Sequence, residues 1–234
     1  ISSLSLGDFS GLRHLYYQRI YVQLAVELGL SVPAGRKALS KDELEALRLS
    51  VFSEIEERNK SGTELPFSAI VWGHNFGFDL SISGYRLGGS HQQIHQQFAL
   101  VPSHMPVFRH GENDTNVSAM PTYTQGDRIA QFTREYREKT GRSFFAAYLE
   151  AIQSNVRLDG RVDKAKDLVI YQDENVVAFV PKAQRSQGEI QIMCKGECGN
   201  ILEADKEVRS SLDRLMLLSM KVLENLGVEI FTAF

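Results

Sequence analysis

The chain has 234 residues, 43% of them hydrophobic and 24% charged, enough apolar content for one large or two modest packed cores and too little bias for intrinsic disorder. A net charge of −3 argues against a basic face dedicated to nucleic acid, while leaving room for a local phosphate pocket. No apolar run approaches the roughly 18 residues a membrane-spanning helix needs, and the opening ISSLSLGDFSGLRH lacks the basic segment and apolar core of a secretory signal.

Apolar positions through residues 12–30 are compatible with a helix. Ser40 and Glu43 have the spacing of a capping box, which predicts an amphipathic helix over SKDELEALRLSVFSEIEERN that ends near Gly62. FSAIVWGHN, GYRLGG and IHQQFALVP follow, rich in branched and aromatic residues and separated by glycine, as expected of neighbouring antiparallel strands. Residues 102–125 mix proline, glycine, asparagine and threonine and read as a connecting loop. Helices are expected over 127–140 and 144–153. DLVIYQDENVVAFVPKA then reads as a hairpin around Asp173-Glu174-Asn175, with EIQIMCK as a further strand. LEADKEVRSSLDRLMLLSMKVLENLG is a long amphipathic helix whose apolar stripe over 212–223 suits a core, and Gly227 is placed to cap it. VEIFTAF begins a strand; such a strand needs a partner, so the sequence is expected to be a fragment or to lack a C-terminal segment. This order predicts an α+β fold, a mainly antiparallel sheet with flanking helices arranged as two related halves. The first half is expected over 1–104, a connection over 105–145 and the second half, incomplete at its C-terminus, over 146–234.

One stretch carries chemistry: GGSHQQIHQQF, residues 88–98. In a strand, side chains alternate, so His91, Gln93, His95 and Gln97 share one face and Gln92, Ile94, Gln96 and Phe98 the other. A row of polar groups buried without partners costs several kcal/mol, so something polar is expected against it. Gly88 and Gly89 let a bulky ligand approach the backbone, and Ser90 adds a hydroxyl beside main-chain N–H groups, an arrangement suited to phosphate. A neutral imidazole in this row can attack phosphorus and hold the group covalently, while glutamine amides bind the non-bridging oxygens without competing as bases. The plain alternative is a structural histidine, the commoner role of a single histidine in a strand.

Other groups have plainer readings. Five of the six histidines lie between His74 and His110, but their spacings match no short ligand motif, and His91 stands about 13 Å from His95 along a strand, too far to share one ion. Cys194 and Cys198 in CKGEC are half a zinc site at most; a short-loop disulfide is open to them, but a reduced pair in an intracellular, cytoplasmic protein is the expectation, with CKGEC a tight turn. Lys182 and Arg185 read as a solvated hairpin end rather than a phosphate contact.

Asn75-Phe76-Gly77, then Gly88-Gly89-Ser90, then Gln93-Ile94-His95-Gln96-Gln97 resembles the active-site segment of galactose-1-phosphate uridylyltransferases in the histidine-triad superfamily, and is similar too to dinucleoside tetraphosphate phosphorylases. The resemblance implies a HIT-like fold and a nucleotidyltransferase of galactose-type metabolism, with His95 the nucleophile that becomes nucleotidylated. Asn75, Gly88, Gly89, Ser90, Gln93 and Gln97 would then bind nucleotide and phosphate. Gln97 falls on the glutamine that separates these transferases from histidine-triad hydrolases, which carry a third histidine there. The second half follows the order of the family's second repeat, so the similarity covers most of the chain, with residues 88–97 its specific part.

The departures also carry implications. Gln93 replaces a histidine that ligates zinc in some members, the connection between Asn75 and Ser90 is longer than usual, and the acidic residue that binds iron in some members falls near Ile152, with Glu150 two positions away. No metal and no cofactor is therefore expected. The implied partners are a nucleotide or nucleotide-sugar substrate and a second copy in a homodimer, with neither nucleic acid nor membrane. A non-catalytic nucleotide-binding protein on the same fold is the alternative, made plausible by Gln93.

Overall fold

A computed structural model describes residues 3–33, 37–77, 94–107, 119–228 and 230–233. The protein is α+β, with antiparallel pairing in each of its small sheets. It divides into two compact units, residues 16–130 with 228–234, and residues 1–15 with 131–227. The first fifteen residues belong to the unit of residues 131–227, and the last strand to that of residues 16–130.

In the unit of residues 16–130, helix α1 (Leu6–Glu27) contributes Tyr16, Tyr17, Ile20, Tyr21 and Leu24, all buried and recurring each turn on one helical stripe. Helix α2 (Lys41–Ser61) adds Leu44, Leu47 and Val51. It starts as the sequence predicts: the Glu43 N–H donates to the Ser40 hydroxyl at 3.1 Å, and the Ser40 N–H donates to the Glu43 carboxylate at 2.7 Å. It stops at Gly62, whose φ of 70° places it in the left-handed region that glycine adopts without strain. The Arg58 guanidinium then ties α2 to α1 by donating to the Leu28 carbonyl at 2.7 Å.

Strands β1 (Phe67–Gly77) and β2 (His95–Pro102) pair antiparallel, from Phe67 opposite Pro102 to Asn75 opposite His95. Within residues 102–125, expected as plain loop, β3 (His104–Pro106) and β4 (Ala119–Pro121) form a short antiparallel ladder with Met105 opposite Met120. The prolines that suggested a loop sit at the ends of these two three-residue strands, where proline is tolerated. The final strand, β8 (Ile230–Ala233), pairs with β1, giving a sheet of order β2-β1-β8. Alternation within VEIFTAF marks a strand but carries nothing about a partner more than 150 positions earlier.

In the other unit lie most of α3 (Gln125–Thr140), together with α4 (Phe144–Gln153), the sheet β5-β6-β7 and α5 (Lys206–Asn225). Strands β5 (Val169–Gln172) and β6 (Val176–Phe179) are the expected hairpin, and β7 (Gln191–Cys194) the strand beside it. The Asp173 carboxylate makes the turn by accepting from the N–H groups of Asn175 and Val176, both at 2.9 Å. β6 is apolar throughout because both its faces are covered. Val177 and Phe179 pack with Ile152 of α4, while Val176 and Ala178 pack with Leu215 of α5. Phe144 extends the first cluster, stacking on Tyr148 with ring centres 5.8 Å apart and meeting Phe132 of α3 edge-on at 4.9 Å. Among the described residues no helix is long and apolar enough to cross a membrane.

The first turns of α1 are fixed in this unit by charge. The Arg13 Nε donates to the Asp213 carboxylate of α5 at 2.8 Å, with side chains only 6% and 7% exposed. Removing one partner of such a pair leaves a buried charge uncompensated, so Asp213→Ala is expected to lower stability by about 3–5 kcal/mol in urea unfolding. The double variant Arg13→Met/Asp213→Leu should recover most of that loss; equal losses in single and double variants would show that the pair itself is not what matters.

Candidate functional site

His95 is the first residue of β2 and Gln97 lies two positions on, so both stand on one face of the sheet, as the alternation predicts. The opposite face is occupied. Phe98 meets the Tyr16 ring edge-on at 6.1 Å, and the Tyr16 hydroxyl donates to the Gln97 carbonyl at 2.6 Å. Helix α1 therefore covers the face of Gln96 and Phe98 and leaves that of His95 and Gln97 uncovered by it: Gln97 and Ala99 are exposed, and His95 is half-buried.

The register places these groups in rows. His95 stands opposite Asn75 of β1, and Asn75 opposite Thr232 of β8, so the three occupy one row across the sheet. In the next row Gln97 stands opposite Gly73. Gly73 offers no side chain, and the Gln97 amide lies across it: a Cβ built there would stand 3.6 Å from Gln97 Nε2 and 3.8 Å from the Ala233 carbonyl. The amide thus has a seat on the central strand two residues from the imidazole.

The His95 imidazole has one further property. Its Nδ1 is shut off from solvent and has no hydrogen-bond partner among the described residues.

Of the other residues singled out from the sequence, Gly88, Gly89, Ser90, His91 and Gln93 lie outside the described residues, and Asn75 is placed by its strand and register alone. His104 lies 2.8 Å from the Glu64 carboxylate. Among the described residues no group of three or more histidines, cysteines and carboxylates could hold a metal ion. Lys182 donates to the Asn155 amide oxygen at 3.0 Å, in a loop contact of the other unit. Thr232, Gly73 and Tyr16 were not among the expected site residues. The glycine inside VWGHN was the readable signal for a close approach, whereas Thr232 enters through a pairing no local pattern encodes.

Comparison with family models, curated proteins and solved structures finds no match to the chain.

The seat at Gly73 is open to test. A Cβ there makes ordinary contacts, so Gly73→Ala should stay within about 1 kcal/mol of the unmodified protein in thermal unfolding. Gly73→Leu occupies the space of the Gln97 amide and should shift that side chain's NMR amide signals while β1 and β2 remain paired. Unchanged Gln97 signals in the leucine variant would place the amide elsewhere.

Proposed function

We propose that the protein is a nucleotidyltransferase with a HIT-like fold, moving a nucleoside monophosphate through a covalent intermediate on His95. The donor is a nucleotide-sugar or dinucleoside polyphosphate, and the acceptor a sugar phosphate or phosphate. The observation that carries the reading is the placement of His95: half-buried at the start of β2, with Gln97 beside it on the face that α1 leaves uncovered. The resemblance of residues 75–77 and 88–97 to the transferase segment supports the same assignment.

Because Nδ1 is closed to solvent, Nε2 is the nitrogen left to meet a ligand. Its lone pair attacks the α-phosphorus, a P–N bond forms and the P–O bond to the leaving phosphate breaks. The acceptor oxygen then attacks the same phosphorus and restores the free imidazole. The Gln97 amide donates to a non-bridging oxygen, and Asn75 and Thr232 stand in the row where a phosphate beside His95 would lie.

His95→Gln keeps a polar side chain of similar reach but cannot form the intermediate. It should abolish the single-nucleotide mass increase seen after incubation with donors and lower turnover by several orders of magnitude, with the fold retained by circular dichroism. Near-normal turnover in that variant removes His95 from the mechanism. Nucleotide binding without labelling by any donor favours a non-catalytic nucleotide-binding protein.

Gln97 tests transfer against hydrolysis. Its amide neither donates nor accepts a proton in chemistry, so the intermediate should wait for an acceptor rather than yield to water. Gln97→His supplies a titratable group two residues from His95 and should raise hydrolysis relative to transfer in a single-turnover chase. If the unmodified protein already hydrolyses its intermediate as fast as it transfers, Gln97 does not have this role.

A further inference from the structure

The segment between α4 and β5, residues 154–168, is pinned at its base and open at its tip. At the base, the Asn155 amide donates to the Lys166 carbonyl at 2.6 Å. Lys182 donates to the Asn155 amide oxygen at 3.0 Å and to the Val156 carbonyl at 3.3 Å. At the tip, Leu158 is 88% exposed and Val162 is fully exposed. Between them stands Asp159-Gly160, the one place in the sequence where an aspartate or asparagine precedes glycine. Gly160 has a φ of 68°, in the left-handed region, and a Cβ built there would meet nothing within 4 Å.

A glycine nitrogen after aspartate is hindered by no side chain of its own, so it can reach the aspartate carboxyl carbon and close a five-membered ring. The carboxyl reacts in its neutral form, because its hydroxyl has to leave as water. Here the carboxylate is occupied. The Arg157 Nε donates to Asp159 Oδ1 at 2.9 Å and the Nη2 to Oδ2, a bidentate fork, and the Arg161 N–H donates to Oδ1 at 3.1 Å. These bonds, the Arg157 fork foremost, hold the Asp159 carboxyl below the usual carboxylate range. Arg157 also donates from Nη1 to the Ala165 carbonyl at 3.0 Å, so one side chain restrains both the carboxylate and the far arm of the loop. Arg161 has its own fork, on Asp163.

We propose that Asp159-Gly160 is a site of spontaneous isoaspartate formation, held in check by the Arg157 fork. The Gly160 nitrogen attacks the Asp159 side-chain carboxyl carbon, a C–N bond forms and the C–OH bond breaks. The amide proton departs with the hydroxyl as one water. Water then opens the succinimide. Cleavage at the side-chain carbonyl restores aspartate, and cleavage at the main-chain carbonyl leaves the chain running through the side chain, as isoaspartate. One water is lost and one is taken up, so the mass is unchanged and no redox partner is needed.

The test ages the full folded chain in warm, mildly acidic buffer, digests it and locates isoaspartate by electron-transfer fragmentation. Enzymatic carboxyl methylation gives a second count. The unmodified protein should accumulate isoaspartate at position 159 ahead of every other aspartate and asparagine. Arg157→Ala should raise that rate about two- to fivefold, the range an exposed ion pair spans. Arg161→Ala removes an equal charge nearby but keeps the Arg157 fork and the N–H of residue 161, and should leave the rate unchanged. If the Arg157 alanine variant does not fold, Arg157→Lys serves: it keeps the charge, loses the fork and should also age faster. The proposal is overturned by no isoaspartate at 159 in either the unmodified protein or the Arg157 variant, by another position ageing first, or by equal rates with and without Arg157.

Discussion

The antiparallel register of β1 and β2 is the constraint on which the candidate site depends, because it fixes His95 opposite Asn75 and Gln97 opposite Gly73. A slip of one residue would turn His95 and Gln97 toward α1 and bring Gln96 and Phe98 to the other face. Two contacts stand against that slip. Tyr16 holds β2 from α1, with its hydroxyl on the Gln97 carbonyl and its ring against Phe98, and the side-chain-free Gly73 of β1 receives the Gln97 amide. The same register gives β1 a second partner in β8, which sets Thr232 in the row of Asn75 and His95.

The other unit rests on a different principle. Its central strand β6 is covered on both faces by α4 and α5, so its stability comes from apolar packing around Val176, Val177, Ala178 and Phe179. The buried pair of Arg13 and Asp213 adds direction rather than bulk, pinning the first turns of α1 to one position on α5. At the end of β7 the core meets the surface, and there Cys194 packs on the cluster of Val176, Ala178 and Leu215.

What could be read in the sequence was what is encoded locally. The capping box of Ser40 and Glu43, the turn at Asp173 and the alternation that puts His95 with Gln97 each depend on residues a few positions apart, and each is present. What could not be read depends on distant partners. No local pattern says that β8 returns to β1, that the chain enters a second unit within α1, or that Tyr16 covers the Phe98 face and so decides which side of β2 stays open. The prolines of β3 and β4 masked a ladder too short for alternation to reveal.

The central claim is that the β2 imidazole carries a nucleotide covalently. The most direct measurement is to quench the protein after incubation with nucleotide-sugars and dinucleoside polyphosphates, digest it at alkaline pH and map the adduct by mass. The account predicts one nucleotide on the peptide containing His95, stable in alkali and released in mild acid, as a P–N bond requires. An adduct on another residue, or none with any donor when nucleotide is seen to bind, would contradict it.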